Sequence, residues 1–192
     1  MDNLLANIRK QISVSTDLEM KVRSGFKVRE LKRGELFIRV GQYAPKLAYV
    51  QSGILRCFST RDGKESTNDF FFEDTFTTDF VSLTKNLPAR QNFEALEQTV
   101  LYEISGEKLQ KLEFLFPELG EWKTIVAGDL LHKSFNDQSE SKLENPEQRY
   151  LQILRNKPEI IRRIPLVYIA SYLGITPVHL SRIRKSVAQK TT

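Results

Sequence analysis

Residues 169–185, IASYLGITPVHLSRIRK, constrain the fold more tightly than any other stretch. The first thirteen residues carry no charge, and three cations then fall within the last four. Ile169, Ala170 and Leu173 lie on one face of a helix predicted over 166–173. Gly174 follows directly, where a left-handed backbone costs little. Ile175 can plug a corner, Thr176 is a good N-cap and Pro177 a good first helical residue. Leu180, Ile183 and Val187 then form the inner stripe of a second helix predicted over 176–188. This order is what two helices crossing at a tight turn require, a helix-turn-helix. The uncharged run from Ile164 to Ser181 has the minimal length of a membrane span, but Pro165, Ser171, Gly174, Thr176, Pro177 and His179 interrupt it, which argues against one.

The opposite face of the second helix carries the chemistry. Val178, His179, Ser181, Arg182 and Lys185 point away from the inner stripe, with Arg184 at its edge. If this helix enters a major groove, His179 and Arg182 can read base edges, Arg most naturally guanine, and Val178 can touch a thymine methyl. Thr176 and Ser181 can donate to phosphates, with Arg184 and Lys185 adding charge contacts. The charge distribution agrees. Residues 146–192 hold nine Lys or Arg against two acids, whereas residues 1–145 hold twenty against twenty-two, so the basic surplus belongs to the last quarter. A three-helix packing domain with a solvated basic edge is the alternative, and it explains neither the Gly and Thr-Pro placement nor the charge surplus.

The rest of the chain is ordinary globular material, 40% apolar and 28% charged. Residues 3–23 read as one helix. From about Phe26 the texture changes to short β-branched and aromatic runs at 36–40, 47–51, 54–60, 66–72, 92–97 and 100–105, separated by turn signals such as Gly34-Glu35, Gly41-Gln42, Ser52-Gly53 and Asp62-Gly63. Strands of this length and spacing predict a barrel or jelly roll, and Phe70, Phe71, Phe72, Phe76, Phe80 and Phe93 are assigned to its core. Helices return after Ser105. One runs from Pro117 to about Ser139 with the stripe Leu119, Trp122, Val126 and Leu130, which either packs on its own barrel or pairs with a second copy. Residues 136–147 read as a polar linker. The lone Cys57 excludes an internal disulfide, and two His give no metal-ligand spacing, so no metal site is expected. The first twenty residues carry five charges and no long apolar run, which predicts no secretory leader and a cytoplasmic protein.

Together these features resemble the Crp/Fnr superfamily of transcription regulators. The IASYLGITPxxLSRIRK ending is the most specific part of the likeness; Gly34-Glu35, Gly41, Tyr49-Val50, Ser52-Gly53 and Gly63, with FFFEDTF (70–76) and EALEQTVLYEIS (94–105), are similar to that family's N-terminal β-roll. The resemblance implies an α+β chain: a jelly-roll-like sensor with flanking helices over 1–116, a long dimerisation helix over 117–139, a hinge over 140–146 and a C-terminal helical helix-turn-helix domain over 147–192. It further implies a homodimer on a pseudo-palindromic duplex DNA site, RNA polymerase as a further partner, no membrane and no enzymatic activity, and it turns the stripe on 117–139 toward pairing.

The departures bear on the effector. Members that bind cyclic nucleotides carry a Gly-Glu pair and, about ten residues on, an Arg followed by Ser or Thr; the Glu takes the ribose hydroxyl and the Arg neutralises the phosphate. Here Thr78 stands in the place of the Gly and Asp79 shortens the Glu. Ala89 falls where the Arg belongs, with Arg90 one place late and Gln91 in the Ser or Thr place. The effector pocket is therefore assigned to Thr78, Asp79, Arg90 and Gln91, with no cofactor, an unknown effector, and three changes that argue against cyclic AMP and cyclic GMP. The family often places Glu at the position of Val178, where it accepts from cytosine; Val cannot, so site preference should differ. Two other functions compete: a β-roll interaction module that binds no DNA, and a cupin-like metal enzyme, for which neither His132 nor His179 lies in the β region.

Overall fold

The computed structural model describes residues 1–143 and 145–190. In chain order the elements are α1 (Asp2–Arg9), α2 (Thr16–Gly25), β1 (Lys27–Leu31), β2 (Leu36–Ile38), β3 (Lys46–Ser52), β4 (Leu55–Arg61), β5 (Lys64–Phe71), β6 (Phe76–Thr77), α3 (Phe80–Lys85), β7 (Asn92–Ala95), β8 (Thr99–Ser105) and α4 (Gly106–Leu115). The helices α5 (Glu118–Leu143), α6 (Pro146–Asn156), α7 (Pro158–Arg163), α8 (Leu166–Tyr172) and α9 (Pro177–Lys190) follow. The chain divides into two compact units, one of Met1–Cys57 with Phe70–His132, the other of Phe58–Asp69 with the residues from Lys133 onward. No helix among the described residues is long and apolar enough to cross a membrane.

Two four-stranded sheets, ordered β1-β8-β3-β6 and β2-β7-β4-β5, form a jelly-roll-like core. Register decides which side chains meet. Antiparallel pairing sets Tyr49 opposite Phe76 and Tyr102, and Leu47 opposite Ile104; these residues face the helices, where Leu4, Ile8, Leu18, Val22, Leu109 and Trp122 complete one apolar cluster. The alternate residues Ala48, Val50 and Leu101 turn inward and join Phe37, Ile38, Cys57, Phe71 and Phe93 inside the roll. This is the period-two alternation of strands buried on both faces. Phe70, Phe71, Phe76 and Phe93 are buried and Phe72 and Phe80 half-buried, so the aromatic-rich segment supplies core.

Several boundaries differ from the sequence reading. The single helix expected over 3–23 is two, because the chain turns between Arg9 and Thr16, where Ser15 Oγ accepts from the Leu18 amide (3.2 Å) as a new N-cap. The break lets Leu4, Leu5 and Ile8 on one helix, and Leu18 and Val22 on the other, reach the same core. β1, β6 and α3 lacked a clear pattern in the sequence; β1 is exposed along four of its five residues and β6 spans only two. Over the linker expected at 136–147 and the hinge expected at 140–146, α5 continues to Leu143, and α6 opens at Pro146 behind the Asn145 capping box. Ser, Glu, Lys and Gln are polar but compatible with helix, and no Gly or Pro interrupts them before Pro146. Residue 144 of that hinge and residues 191–192 of the expected C-terminal domain lie outside the described residues.

Candidate nucleic-acid interface and effector cassette

In the second unit α8 and α9 meet at a turn that local chemistry dictates. Gly174 has φ +71°, the left-handed conformation in which a Cβ is costly. Its amide and that of Ile175 close the end of α8 on Ser171 O (3.1 Å) and Ala170 O (2.9 Å). Thr176 Oγ1 accepts from the His179 amide at 3.2 Å and caps the start of α9. Ile169, Ala170, Leu173, Leu180, Ile183 and Val187 are buried. Thr176, Val178, His179, Ser181, Arg182, Arg184 and Lys185 are all exposed, with Val178 64% accessible. An apolar stripe thus anchors α9 and leaves three cations, an imidazole and two hydroxyls on the free side.

Two further residues brace this pair of helices and were not picked out in the sequence. Arg149, buried on α6, donates from Nη1 to Leu173 O and from Nη2 to Tyr172 O, both at 3.2 Å, and its guanidinium lies 5.7 Å from the Tyr172 ring centre. A cation thereby satisfies carbonyls that the end of α8 leaves orphaned. Ser171 on α8 accepts from the Thr67 amide (2.9 Å) and donates to Glu65 O (3.4 Å), so the 58–69 hairpin tip bonds to α8 within the same unit. An Arg inside an amphipathic helix gives no sign in sequence that it will turn inward, since Arg is mostly exposed.

The four cassette residues in the first unit are occupied by the chain itself. Asp79 is buried; Oδ1 accepts from the Ser82 amide (2.9 Å) as the N-cap of α3, and Oδ2 accepts from the amides of Arg90 (2.8 Å) and Gln91 (3.3 Å). The backbone donors that could cradle a phosphate thus already serve a carboxylate. Thr78 Oγ1 donates to Lys46 O at 2.7 Å, and Gln91 Oε1 accepts from Cys57 Sγ at 2.8 Å. The Arg90 residue is exposed, whereas Ala89, in the place of the family Arg, is buried. Thr77, opposite Ala48 and so facing the roll interior, is buried with no hydrogen-bond partner for its hydroxyl among the described residues. Sequence reading passed over it because a Thr on a short strand is unremarkable.

The stripe Leu119, Trp122, Val126 and Leu130 on α5 requires a correction. Leu119, Trp122 and Val126 are buried in the cluster between the helices and the roll, and Leu130 packs against it. Trp122 meets Phe76 edge-on, ring centres 5.1 Å apart. The stripe expected to pair with a second copy is consumed by the chain's own core, because the outer face of the β3/β8 sheet offers it aromatic and aliphatic surface. Among the residues of α5 whose burial is described, the exposed large apolar ones are Ile125 and Leu131.

Comparison with known proteins places this architecture. Residues 28–113 match the family model of the cyclic nucleotide-binding domain. The fold is that of Crp/Fnr-type regulators. FixK2 from Bradyrhizobium japonicum superposes with a TM-score of 0.75 at 16% identity, over 86% of each chain. The c-di-GMP-responsive global regulator CLP from Xanthomonas campestris gives 0.73 at 19% identity, over 92% of this chain and 93% of that one. A candidate transcriptional regulator of the crp/fnr family from Eubacterium rectale gives 0.71 at 16% identity, over 92% and 85%. No curated protein sequence matches the chain.

Proposed function

We propose that the protein is a sequence-specific regulator that binds duplex DNA as a homodimer through α9, and that its β-roll answers an effector other than cyclic AMP or cyclic GMP. The observation that carries this reading is the exposed basic face of α9, opposite a buried stripe and behind a turn held by Gly174, Thr176 and Arg149. That is the build of a helix presented to a major groove, with base readers near its N-terminus and phosphate contacts flanking them. The match to a cyclic nucleotide-binding domain supports an effector-binding roll. The Asp79 bonds support a different effector: a bound phosphodiester would face a carboxylate and find the Arg90 and Gln91 amides taken. Pairing of two copies would draw on surface outside the Leu119-to-Leu130 stripe, with Ile125 and Leu131 available on α5.

Selection of bound duplexes from a random library, at two salt concentrations and with and without cyclic AMP and cyclic GMP, tests the reading. An inverted repeat should emerge without nucleotide, and affinity should fall steeply with salt as protein cations displace counterions. Arg182→Ala should cost about 1–3 kcal/mol at one base position and relax preference there, whereas Lys185→Ala should weaken all sequences alike and lower the salt slope by about one. The absence of any enriched motif, or enrichment only when nucleotide is present, would overturn the corresponding half of the proposal.

A further inference from the structure

A cavity of about 690 Å³ lies in the first unit on the helix side of the roll, walled by β3, α3, α4 and α5. Its size is that of a small-molecule site. It is separate from the cassette: Asp79, Arg90 and Gln91 are not among its walls, and Thr78 reaches it with a hydroxyl already donated to Lys46 O (2.7 Å). The lining is graded by depth. Leu47, Leu109 and Val126 are buried at the floor, and half-buried Pro45, Phe80, Leu83, Ala127 and Leu130 form the walls. Thr84, Asn86 and Gln110 are exposed and stand at the mouth.

An ion finds no free counter-charge there. Glu107, Glu113 and Lys123 line the cavity, and each is already paired: Glu113 with Lys123 between α4 and α5 (2.5 Å), and Glu107 with Lys111 one turn along α4 (2.6 Å). These four charges cancel. A charged ligand would shed hydration with nothing to replace it, which disfavours cations and anions alike. The wall hydroxyls are used as donors as well, since Thr84 Oγ1 donates to Phe80 O (2.7 Å) as Thr78 does to Lys46 O. An uncharged apolar body meets none of these costs and gains in proportion to the apolar area it removes from water.

We propose that this cavity binds an uncharged, mainly apolar small molecule, its hydrocarbon body against Phe80, Leu83 and Leu130 and a neutral polar end at the mouth beside Thr84, Asn86 and Gln110. Size, apolar depth and self-cancelled charge carry the assignment together. The site goes beyond the proposed DNA-binding function and stands whether or not that reading holds.

The test uses the full chain and N-phenyl-1-naphthylamine, an uncharged dye whose emission rises in apolar surroundings. The dye should bind saturably, one per chain, and its sulfonated counterpart, anilinonaphthalene sulfonate, about tenfold or more weaker. 1-Octanol should displace the dye, whereas octylammonium and octanoate, kept below their aggregation concentrations, should need about tenfold more. Ala127→Leu, which fills the cavity from α5, should abolish binding. Gly128→Leu places the same side chain one residue on, outside the cavity lining and with nothing within 4 Å of its Cβ, and should leave binding intact. Far-UV circular dichroism checks that each variant folds, and Leu83→Phe blocks the cavity from α3 if Ala127→Leu does not. No saturable binding, displacement by the charged competitors as easily as by octanol, or full affinity in the folded blocking variant would overturn the proposal. So would release of the dye as the protein is concentrated, which would put a second copy of the chain in the cavity.

Discussion

Replacing Arg149 should loosen the helix pair that carries the basic face. The guanidinium makes two bonds of 3.2 Å to the carbonyls of Tyr172 and Leu173 at the end of α8 and stacks near the Tyr172 ring. Hydrogen bonds to a charged group contribute about 1.5–3 kcal/mol each. Tyr172 is only half-buried, so water can replace part of one bond in the variant, whereas Leu173 is buried. Removing the charge also relieves the desolvation of a buried cation. Together these put Arg149→Ala at about 2–4 kcal/mol of lost stability, within the range for a broken buried network. Arg149→Met, which keeps the apolar stem and removes both bonds, should lose nearly as much; Arg149→Lys, a point charge able to serve one carbonyl well, should lose about half. Urea unfolding separates the units, because far-UV circular dichroism follows all helices while the emission of Trp122 follows the first unit alone. The expected result is an earlier dichroism transition, an unmoved Trp122 transition and weaker duplex binding. Arg149→Met as stable as the parent would refute the assignment of stability to the two carbonyl bonds.

Two glycines should respond differently to Ala. At Gly174 (φ +71°) nothing lies within 4 Å of an added Cβ, so Gly174→Ala should cost only the backbone strain, about 1–2 kcal/mol by urea unfolding, with Gly174→Asn milder. At Gly53 (φ +90°) the added carbon would lie 2.4 Å from Thr99 Oγ1 and 2.7 Å from Gln98 O, so Gly53→Ala should cost more than twice as much; equal losses would disprove the steric account. Burial, with the bond from Tyr49 Oη to Asp74 Oδ1 adding, raises the phenol pKa of Tyr49 well above its usual 10.0. The folded state therefore holds that proton more tightly than the unfolded chain does. Its contribution to stability is complete below about pH 10 and is lost as pH climbs through the folded value. Unfolding free energies measured from about pH 8 to 11.5 should fall at the alkaline end, and Tyr49→Phe should flatten that fall.

What could be read in the residues is what depends on neighbours in the chain. The α8–α9 turn was legible because Gly174, Thr176 and Pro177 act through their own dihedrals and caps, and the Leu180, Ile183, Val187 stripe through helical period alone. The exposed cations of α9 follow from the same period. Most strands were legible from alternation and punctuating turns, whereas β1 and β6 were not, since their pairing with β8 and β3 supplies what their own patterns lack. Only the tertiary structure decided which surface each apolar face meets. The Leu119-to-Leu130 stripe reads equally as a seam between copies or as core; the presence of Tyr49, Phe76 and Ile104 on the facing sheet turns it inward. The same holds for polar groups. Asp79 looks like a shortened ribose ligand until the Arg90 and Gln91 amides are seen to converge on it, and Glu113 and Arg149 look like ordinary helix-surface charges. A side chain's partners eleven, twenty-four or more residues away are set by how the elements pack, and no local period or propensity records that.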